Sequence, residues 1–338
     1  MMRSSIQTGL VGLGAGACSA LLFASMLSKS IVAVGLFYLS PLPILIVALG
    51  WSHWAGLLAA LAAGVSLALA IDVFYFLAFL ISIGLPAWWL GYLALLARTS
   101  GSRGDQGGQG DQRDQRDIVD IEWYPPGRLV VWSAALGALV VLIGMSQIGT
   151  DEATIRETLR RAIETMLHTQ MRVPADKALE LPGIASPEVL AMVLPPAAAA
   201  LTTMTQLLNL WLAGRIVRIS GRLRRPWPEF SALRFPHATP IALAAAFGAS
   251  FLPGTLGLAA GLPAASLLMV YAVLGFAVVH GITRHLSSRG VVLFGIYAAV
   301  AVFGWPVLLM TLLGLIDSAL DLRGRIAATR GPPPIPPA

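Results

Sequence analysis

The stretch that decides the fold runs from residue 31 to residue 97 and reads IVAVGLFYLSPLPILIVALGWSHWAGLLAALAAGVSLALAIDVFYFLAFLISIGLPAWWLGYLALLA. It carries one formally charged side chain, Asp72, and its apolar residues come in long unbroken runs. A membrane-crossing helix needs about 20 mostly apolar residues. The strands of a membrane barrel would instead alternate apolar and polar residues. We therefore expect an all-α, polytopic bundle of transmembrane helices.

The composition of the whole chain agrees with a lipid environment. Of 338 residues, 57% are hydrophobic and 12% are charged, and the mean hydropathy is +0.76. A soluble domain usually carries about 25% charged residues. The net charge of +6 is typical of basic loops on one membrane face. Binding of nucleic acid would need a soluble basic domain, and none is visible. We expect the lipid bilayer as partner and no nucleic acid.

Working outward from this stretch, we predict about nine spans by length and hydropathy. Eight remain an alternative, because the tight turns near Asp72 and near Gly261 could each belong to a re-entrant hairpin. The predicted spans are residues 6–27, 31–50, 54–70, 73–97, 129–148, 189–212, 241–260, 263–283 and 291–316. Pro41 and Pro43 should break or kink the second span, and Pro86 should do the same in the fourth.

The spans fall into two blocks. We predict a four-span N-terminal block over residues 1–97, a disordered polar linker over 98–127 and a five-span block over 128–316. A polar, proline-rich tail follows over 317–338. The linker centre consists of Gly, Gln, Asp and Arg, which cannot bury enough apolar surface to fold.

An amphipathic helix is predicted over residues 151–170. Thr150 could cap it, and apolar residues recur on one face at helical spacing. Three pairs of opposite charge lie four residues apart: Glu152 with Arg156, Glu157 with Arg161, and Arg160 with Glu164. The helix could lie on the bilayer or cap the bundle, or it could act as a lid or partner-docking helix.

The orientation follows from a basic cluster at the end of the sixth span. Its members are Arg215, Arg218, Arg222, Arg224 and Arg225. The positive-inside rule places this loop, residues 213–238, in the cytoplasm and with it the N-terminus. Nine spans would leave the C-terminal arginines outside, which conflicts with the same rule.

Three sets of residues are candidates for function. Small residues at intervals of four line the first span, and Gly12, Gly16 and Ala20 could serve intramolecular packing or the docking of a partner's helix. On the sixth span, Thr202, Gln206 and Asn209 share a face that could make interhelical hydrogen bonds or line a substrate cavity.

Acidic residues form the third set. Asp72 could sit at the interface or act as an ion or substrate ligand. Asp317 and Asp321, close to Arg323, are interpreted as forming local salt bridges at the end of the last span.

No enzyme motif is present. The chain has neither a G-x-S-x-G elbow nor a Walker loop, and its five histidines show no metal-ligand spacing. A single cysteine, Cys18, excludes an intrachain disulfide and a cysteine-based metal site. We expect no enzyme activity, no cofactor and no metal.

Short motifs resemble the YybS-like family of uncharacterised bacterial membrane proteins. These motifs are Ser40-Pro41-Leu42-Pro43, Asn209 followed by the basic cluster with Pro226 and Phe230, Tyr271 with Gly275, Gly314-Leu315-Ile316-Asp317, and Asp321-Leu322-Arg323. The N-terminal block of this family looks similar to the substrate-binding subunits of energy-coupling-factor vitamin transporters and to rod-shape membrane proteins. The resemblance implies a bacterial cytoplasmic membrane and, for Gly12, Gly16 and Ala20, partner docking.

Two main functional hypotheses follow, and an intramembrane enzyme without a recognisable motif is kept as a third alternative. The first is a substrate-binding or permease subunit for a small molecule, which works with other membrane proteins. The second is a membrane scaffold for cell-envelope or division machinery that binds no substrate.

Overall fold

The computed structural model describes residues 2–28, 30–100, 120–171 and 186–329. Within these residues the protein is an all-α bundle with one pair of short strands. Seven helical stretches are long and apolar enough to cross a membrane, so the predicted fold class is confirmed. The helices are α1 (Met2–Ala24), α2 (Ile31–Tyr38), α3 (Leu42–Gly50), α4 (His53–Ala70), α5 (Val73–Phe79), α6 (Leu85–Ala94), α7 (Pro126–Ser146), α8 (Glu152–Met171), α9 (Pro187–Ile219), α10 (Thr239–Ala249), α11 (Thr255–Ile282), α12 (Arg289–Phe303), α13 (Pro306–Leu320) and α14 (Leu322–Thr329).

The chain divides into two compact units. Unit 1 contains Met1–Leu129 and Asn209–Trp227, and unit 2 contains Val130–Leu208 and Pro228–Ala338. The predicted division into an N-terminal and a C-terminal block therefore differs from the structure at one point. The last turns of α9, which carry Asn209 and the first part of the basic cluster, belong to unit 1.

Small residues govern the packing of α1 against α4 in unit 1. A Cβ on Gly16 would lie 2.6 Å from the Ala59 carbonyl oxygen, and a Cβ on Gly12 would lie 3.1 Å from the Ala55 carbonyl oxygen. Ala20 is 6% exposed. Close approach of two helix backbones needs such a small-residue face. Within the chain this face of α1 packs against α4, as the packing alternative expects, and the docking of a partner at Gly12, Gly16 and Ala20 stays a prediction.

The two predicted proline breaks in unit 1 take different forms. The second span is interrupted between Tyr38 and Leu42, so Pro41 and Pro43 break it as predicted. The fourth span stays helical, but Leu80–Gly84 winds as a π-helix just before Pro86. A local π turn re-accommodates backbone groups that a proline displaces within the membrane.

Both ends of the predicted polar linker are ordered. Strand β1 (Ala97–Ser100) pairs antiparallel with strand β2 (Asp120–Trp123), with Ala97 opposite Trp123. The prediction of disorder is wrong for these residues, because the pairing satisfies their backbone groups. The predicted linker centre, residues 101–119, lies outside the described residues.

In unit 2, α8 packs its apolar face on the bundle. Ile155 is buried in a cluster with Ala138, Met145, Ala199 and Leu262. The predicted amphipathic helix is present, and it caps unit 2. Its N-cap is Asp151, which accepts a hydrogen bond from the Thr154 N–H at 3.1 Å, and not Thr150.

Unit 2 also contains the closest helix crossing that the structure describes. Gly275 of α11 faces the Met310 carbonyl oxygen of α13, and Gly314 of α13 faces the Tyr271 carbonyl oxygen of α11, so that a Cβ at either glycine would overlap backbone. Tyr271 is fully buried and packs against Phe235, with ring centroids 5.3 Å apart. Tyr271, Gly275 and Gly314 belong to the motifs quoted above, and the fold brings them together.

The span predictions for the C-terminal third need correction. The predicted turn near Gly261 is absent, because α11 runs continuously from Thr255 to Ile282, and the break lies instead before Gly254, whose φ is +81°. The predicted span 291–316 is two 15-residue helices, α12 and α13, separated at Gly304 with φ +71°. Among the described residues, nine predicted spans thus become seven long helical stretches and three shorter apolar helices.

This correction bears on the position of the C-terminus. The Arg323 side chain donates to the carbonyl oxygens of Ser231 and Leu233 at 2.6 and 2.7 Å. It also lies beside Gly281 near the end of α11. Residues 231–233, the end of α11 and the start of α14 therefore lie at the same end of unit 2. Two helices, α12 and α13, in place of one predicted span are compatible with this arrangement.

Candidate functional site

Asn209 is the most completely buried of the predicted cavity residues. It is 1% exposed, and its Nδ2 donates a hydrogen bond of 2.8 Å to the Tyr38 carbonyl oxygen. Tyr38 ends α2, and the next available donor, the Leu42 N–H, bonds instead to the Leu39 carbonyl oxygen. A backbone carbonyl released by a helix break in lipid must find another partner. Asn209 supplies that partner, so its amide supports the break between α2 and α3.

Ser19 of α1 has a similar role at the same break. Its hydroxyl donates to the Ser40 carbonyl oxygen at 2.5 Å, and both serines are fully buried. The sequence analysis missed Ser19, although it lies on the small-residue face of α1 beside Ala20. A hydroxyl on a face that packs against helices was the available signal.

Thr202 and Gln206 lie one turn apart on the part of α9 that belongs to unit 2. Thr202 is half-buried. Gln206 is 5% exposed, and neither its Nε2 nor its Oε1 has a hydrogen-bond partner among the described residues. The adjacent Thr203 differs, since its hydroxyl donates back to the Ala199 carbonyl oxygen at 2.8 Å. Gln206 is thus the predicted cavity residue whose two polar side-chain atoms have no hydrogen-bond partner among the described residues.

Asp72 has a local structural role. It is exposed and forms the N-cap of α5, where its Oδ1 accepts a hydrogen bond from the Phe74 N–H at 2.8 Å. An N-cap carboxylate satisfies an otherwise unpaired amide and interacts favourably with the helix dipole. The structure therefore gives Asp72 a capping role, and its role as an ion or substrate ligand stays a prediction.

The basic cluster lies at one end of unit 1 against the ends of two apolar helices. Arg224 donates to the Trp51 carbonyl oxygen just after α3 at 3.3 Å. Arg225 donates to the Ala94 carbonyl oxygen, the last residue of α6, at 3.0 Å and to the Tyr124 carbonyl oxygen at 3.3 Å. Burial lowers the pKa of the Arg225 guanidinium below its ordinary value, which still leaves it charged. Cations are stabilised at the carbonyl ends of helices.

Two exposed members of the cluster, Arg218 and Arg222, lie over aromatic rings. The Arg222 guanidinium lies 4.4 Å from the Trp51 ring centroid, and that of Arg218 lies 5.4 Å from the ring centroid of Trp227. Arg215 is exposed. These stacked guanidinium groups keep hydrogen-bond donors available to a ligand.

Asp317 and Arg323 form a buried ion pair in unit 2. Their side chains are 3% and 11% exposed, and Arg323 Nη2 lies 2.8 Å from Asp317 Oδ2. The remaining Arg323 donors reach Ser231 and Leu233, as described above. The salt-bridge interpretation is correct for Asp317. Asp321 pairs instead with Arg234 at 3.0 Å. The sequence did not predict the contacts of Arg323 to the 231–233 backbone, because nothing local to α14 indicates them.

Among the residues that the structure describes, no three of His, Cys, Asp and Glu come together as metal ligands would. Cys18 is exposed on α1.

The fold and the buried polar residues define a multi-pass helical membrane protein. The chain belongs to the family described as "Predicted membrane protein (DUF2232)", whose model matches residues 127–318, more than half of the chain. The match includes Asn209, the basic cluster, the crossing of Gly275 with Gly314, and Asp317. No curated protein and no solved structure shows significant similarity to the chain.

Proposed function

We propose that the protein is a non-enzymatic substrate-binding or permease-type subunit for a small polar molecule, with Gln206 in its binding region. The observation that carries this proposal is the state of the Gln206 carboxamide. It is 5% exposed on an apolar helix, and both of its polar atoms lack a partner among the described residues.

The energetic argument is direct. Burial of an amide without a hydrogen bond costs about 1–3 kcal/mol by mutational measurement and more in a hydrocarbon environment. By contrast, Asn209 and Ser19 each donate a hydrogen bond to a backbone carbonyl oxygen at the break between α2 and α3. A polar ligand or bound water would supply the partner that Gln206 lacks.

Thr202 is the neighbour that completes the region. It lies four residues before Gln206, and therefore on the same face of α9. A hydroxyl and a carboxamide on one face can both donate and accept hydrogen bonds, which suits an uncharged polar ligand. Ser266 of α11, also in unit 2, is fully buried with a hydroxyl that has no partner among the described residues.

The proposed setting is the bacterial cytoplasmic membrane, with residues 213–238 in the cytoplasm. The positive-inside rule supports this orientation. The likeness to YybS-like proteins and to substrate-binding subunits of energy-coupling-factor transporters supports the transport role. Because the sequence has no Walker loop, energy would come from a partner protein or from an ion gradient.

A scaffold for envelope or division machinery is the second candidate, and α12 favours it. None of its residues is buried, and it presents apolar side chains such as Val291, Phe294 and Val302 at 74–76% exposure. Such a face can contact lipid or the helix of a partner protein.

The test is purification in mild detergent, with mass spectrometry of the proteins and small molecules that remain bound. The transport proposal expects a small molecule to co-purify with the wild type and a coupling subunit or ATPase to be recovered. Gln206→Leu should lose the small molecule. Met204→Leu, which changes a 40%-exposed residue on the same helix, is the matched control and should retain it.

Recovery of envelope-synthesis or division proteins, with no small molecule in either variant, would contradict the transport proposal and support the scaffold. A bound molecule that survives Gln206→Leu unchanged would remove Gln206 from the site.

A further inference from the structure

We propose that the basic cluster of unit 1 binds the phosphate headgroup of an anionic lipid. The inference is independent of the transport proposal, which rests on Gln206 in unit 2. It starts from the charge of the segment 209–227, which carries five arginines and no acidic residue.

The guanidinium groups of the cluster are held in place by carbonyl oxygens and aromatic rings, but no carboxylate neutralises their charge among the described residues. Arg224 and Arg225 bond to backbone carbonyls, and Arg218 and Arg222 stack on Trp227 and Trp51. No member of the cluster makes a salt bridge within the part of the chain that the structure describes, although eight such pairs occur elsewhere in it. A guanidinium fixed by a ring or a carbonyl needs little further ordering to bind a phosphate.

The location of the cluster selects a lipid as the source of that phosphate. Trp51, Ala94 and Ile219 mark the ends of the apolar helices α3, α6 and α9, and the arginine contacts bring the first two together. The ends of apolar helices define the edge of the hydrocarbon layer, where headgroups lie. Trp54, 66% exposed in the first turn of α4, adds an aromatic side chain of the type enriched at this boundary.

A segment of the chain itself could compete with the lipid phosphate for the basic cluster, but its charge makes it the weaker ligand. Residues 101–119 carry four aspartates and three arginines, so that their net charge is only −1. Anionic lipids attract basic side chains near the surface strongly and collectively. The charge balance therefore favours the lipid headgroup over this segment.

The experiment uses the full-length protein in detergent and native mass spectrometry with added phosphatidylglycerol or phosphatidylcholine. We expect phosphatidylglycerol to bind more tightly and its affinity to fall as salt is raised. Removal of two surface charges in Arg218→Gln/Arg222→Gln should weaken phosphatidylglycerol binding roughly 30-fold, while Arg218→Lys/Arg222→Lys should retain most of it.

The matched control removes two arginines of α8 that already pair with Glu152 and Glu157, in Arg156→Gln/Arg161→Gln. It should leave lipid binding unchanged. Equal binding of the two lipids, or unchanged affinity in the Arg218→Gln/Arg222→Gln variant, would overturn the proposal. Displacement of phosphatidylglycerol by inorganic phosphate at equal concentration would show that the site takes soluble phosphate, and would also overturn it.

Discussion

At the scale of single residues, Asn209 is best explained as a substitute backbone donor. It joins α9 to the end of α2 through the Tyr38 carbonyl oxygen, at 2.8 Å and almost without exposure. We predict that Asn209→Leu lowers the free energy of unfolding by about 1–3 kcal/mol, because it leaves that carbonyl buried without its donor. Thermal unfolding in detergent measures the effect.

The control for Asn209 is Trp211→Phe, two residues further along the same helix at a position that is 55% exposed. It should change the melting temperature little. An Asn209→Leu variant as stable as the wild type would show that the hydrogen bond to Tyr38 does not support the helix break.

Asp317 and Arg323 give a second residue-scale prediction. Loss of one partner of a buried ion pair leaves an uncompensated charge and typically costs about 3–5 kcal/mol. We expect Asp317→Leu to destabilise the protein by this amount, because Arg323 would keep only its contacts to Ser231 and Leu233.

Arg323→Met combined with Asp317→Leu removes both charges. The double variant should be less destabilised than the sum of the single variants, as a double-mutant cycle would measure. Additive effects would show that the two side chains are not coupled.

At the scale of elements, the crossing of α11 and α13 depends on two glycines. A Cβ at Gly275 or Gly314 would overlap a backbone carbonyl oxygen of the other helix, and backbone cannot rotate away as a side chain can. We predict that Gly275→Ala and Gly314→Ala each lower the free energy of unfolding by about 3 kcal/mol, the upper end of the usual cost of overpacking. Thermal unfolding again provides the measurement.

Gly295→Ala in α12 is the matched control, because nothing lies within 4 Å of a Cβ built there. Alanine has the higher helix propensity, so this variant should be neutral or slightly more stable. If all three alanine variants behaved alike, the close crossing would be refuted.

The charged face of α8 predicts a pH dependence. Hydrogen bonds from Arg160 and Arg161 lower the pKa of Glu157 from 4.5 to about 2. A carboxylate with a depressed pKa contributes stability above its ordinary pKa, and this contribution is lost as the pH falls. Protection of the α8 amides from hydrogen exchange should therefore hold down to about pH 5 and decrease between pH 4.5 and 2.

Glu157→Gln tests the assignment. It should weaken α8 at neutral pH and remove most of the acid-induced step. A step of unchanged size in this variant would assign the transition to another carboxylate.

How far the elements could be predicted depended on where their signals lie along the chain. The ion pairs of α8 and the break at Pro41 follow from local spacing, and the structure contains both. The breaks at Gly254 and Gly304 also have local signals, a preceding Pro253 and a following Pro306. The span prediction missed them because it averaged hydropathy over about 20 residues. The continuity of α11 through Pro263 has no local signal, because neighbouring helices decide it.

At the scale of the whole molecule, the sequence predicted which residues share a helix face, but it did not predict which helix or backbone group each of them contacts. Thr202, Gln206 and Asn209 share a face by periodicity. Asn209, however, belongs to unit 1, where its side chain donates a hydrogen bond to the Tyr38 carbonyl oxygen at the helix break. Gly12 and Gly16 were indicated as a close-packing face, but the identity of the packing partner, α4, depends on tertiary structure. Periodicity places side chains on a face, and it does not say which helix meets that face.

The arrangement of unit 2 makes a prediction about the C-terminus. Since Arg323 contacts the 231–233 backbone, α14 should lie on the same membrane side as residue 232. Between residues 147 and 232, the part of the chain that the structure describes contains one long apolar helix, α9. Residue 147 should then lie on the opposite side.

Single cysteines at Gln147, Ala232 and Arg325 test this arrangement in a Cys18→Ala background, since Cys18 is the one cysteine of the chain. In intact cells, a membrane-impermeant thiol reagent should label Gln147→Cys, while Ala232→Cys and Arg325→Cys should react only after the membrane is opened. Labelling of Arg325→Cys in intact cells, with Ala232→Cys protected, would contradict this prediction. It would place α14 and residues 231–233, which Arg323 connects, on opposite sides of the membrane. The basic loops and the C-terminal arginines would then lie on different sides, and α12 and α13 would act as a single crossing.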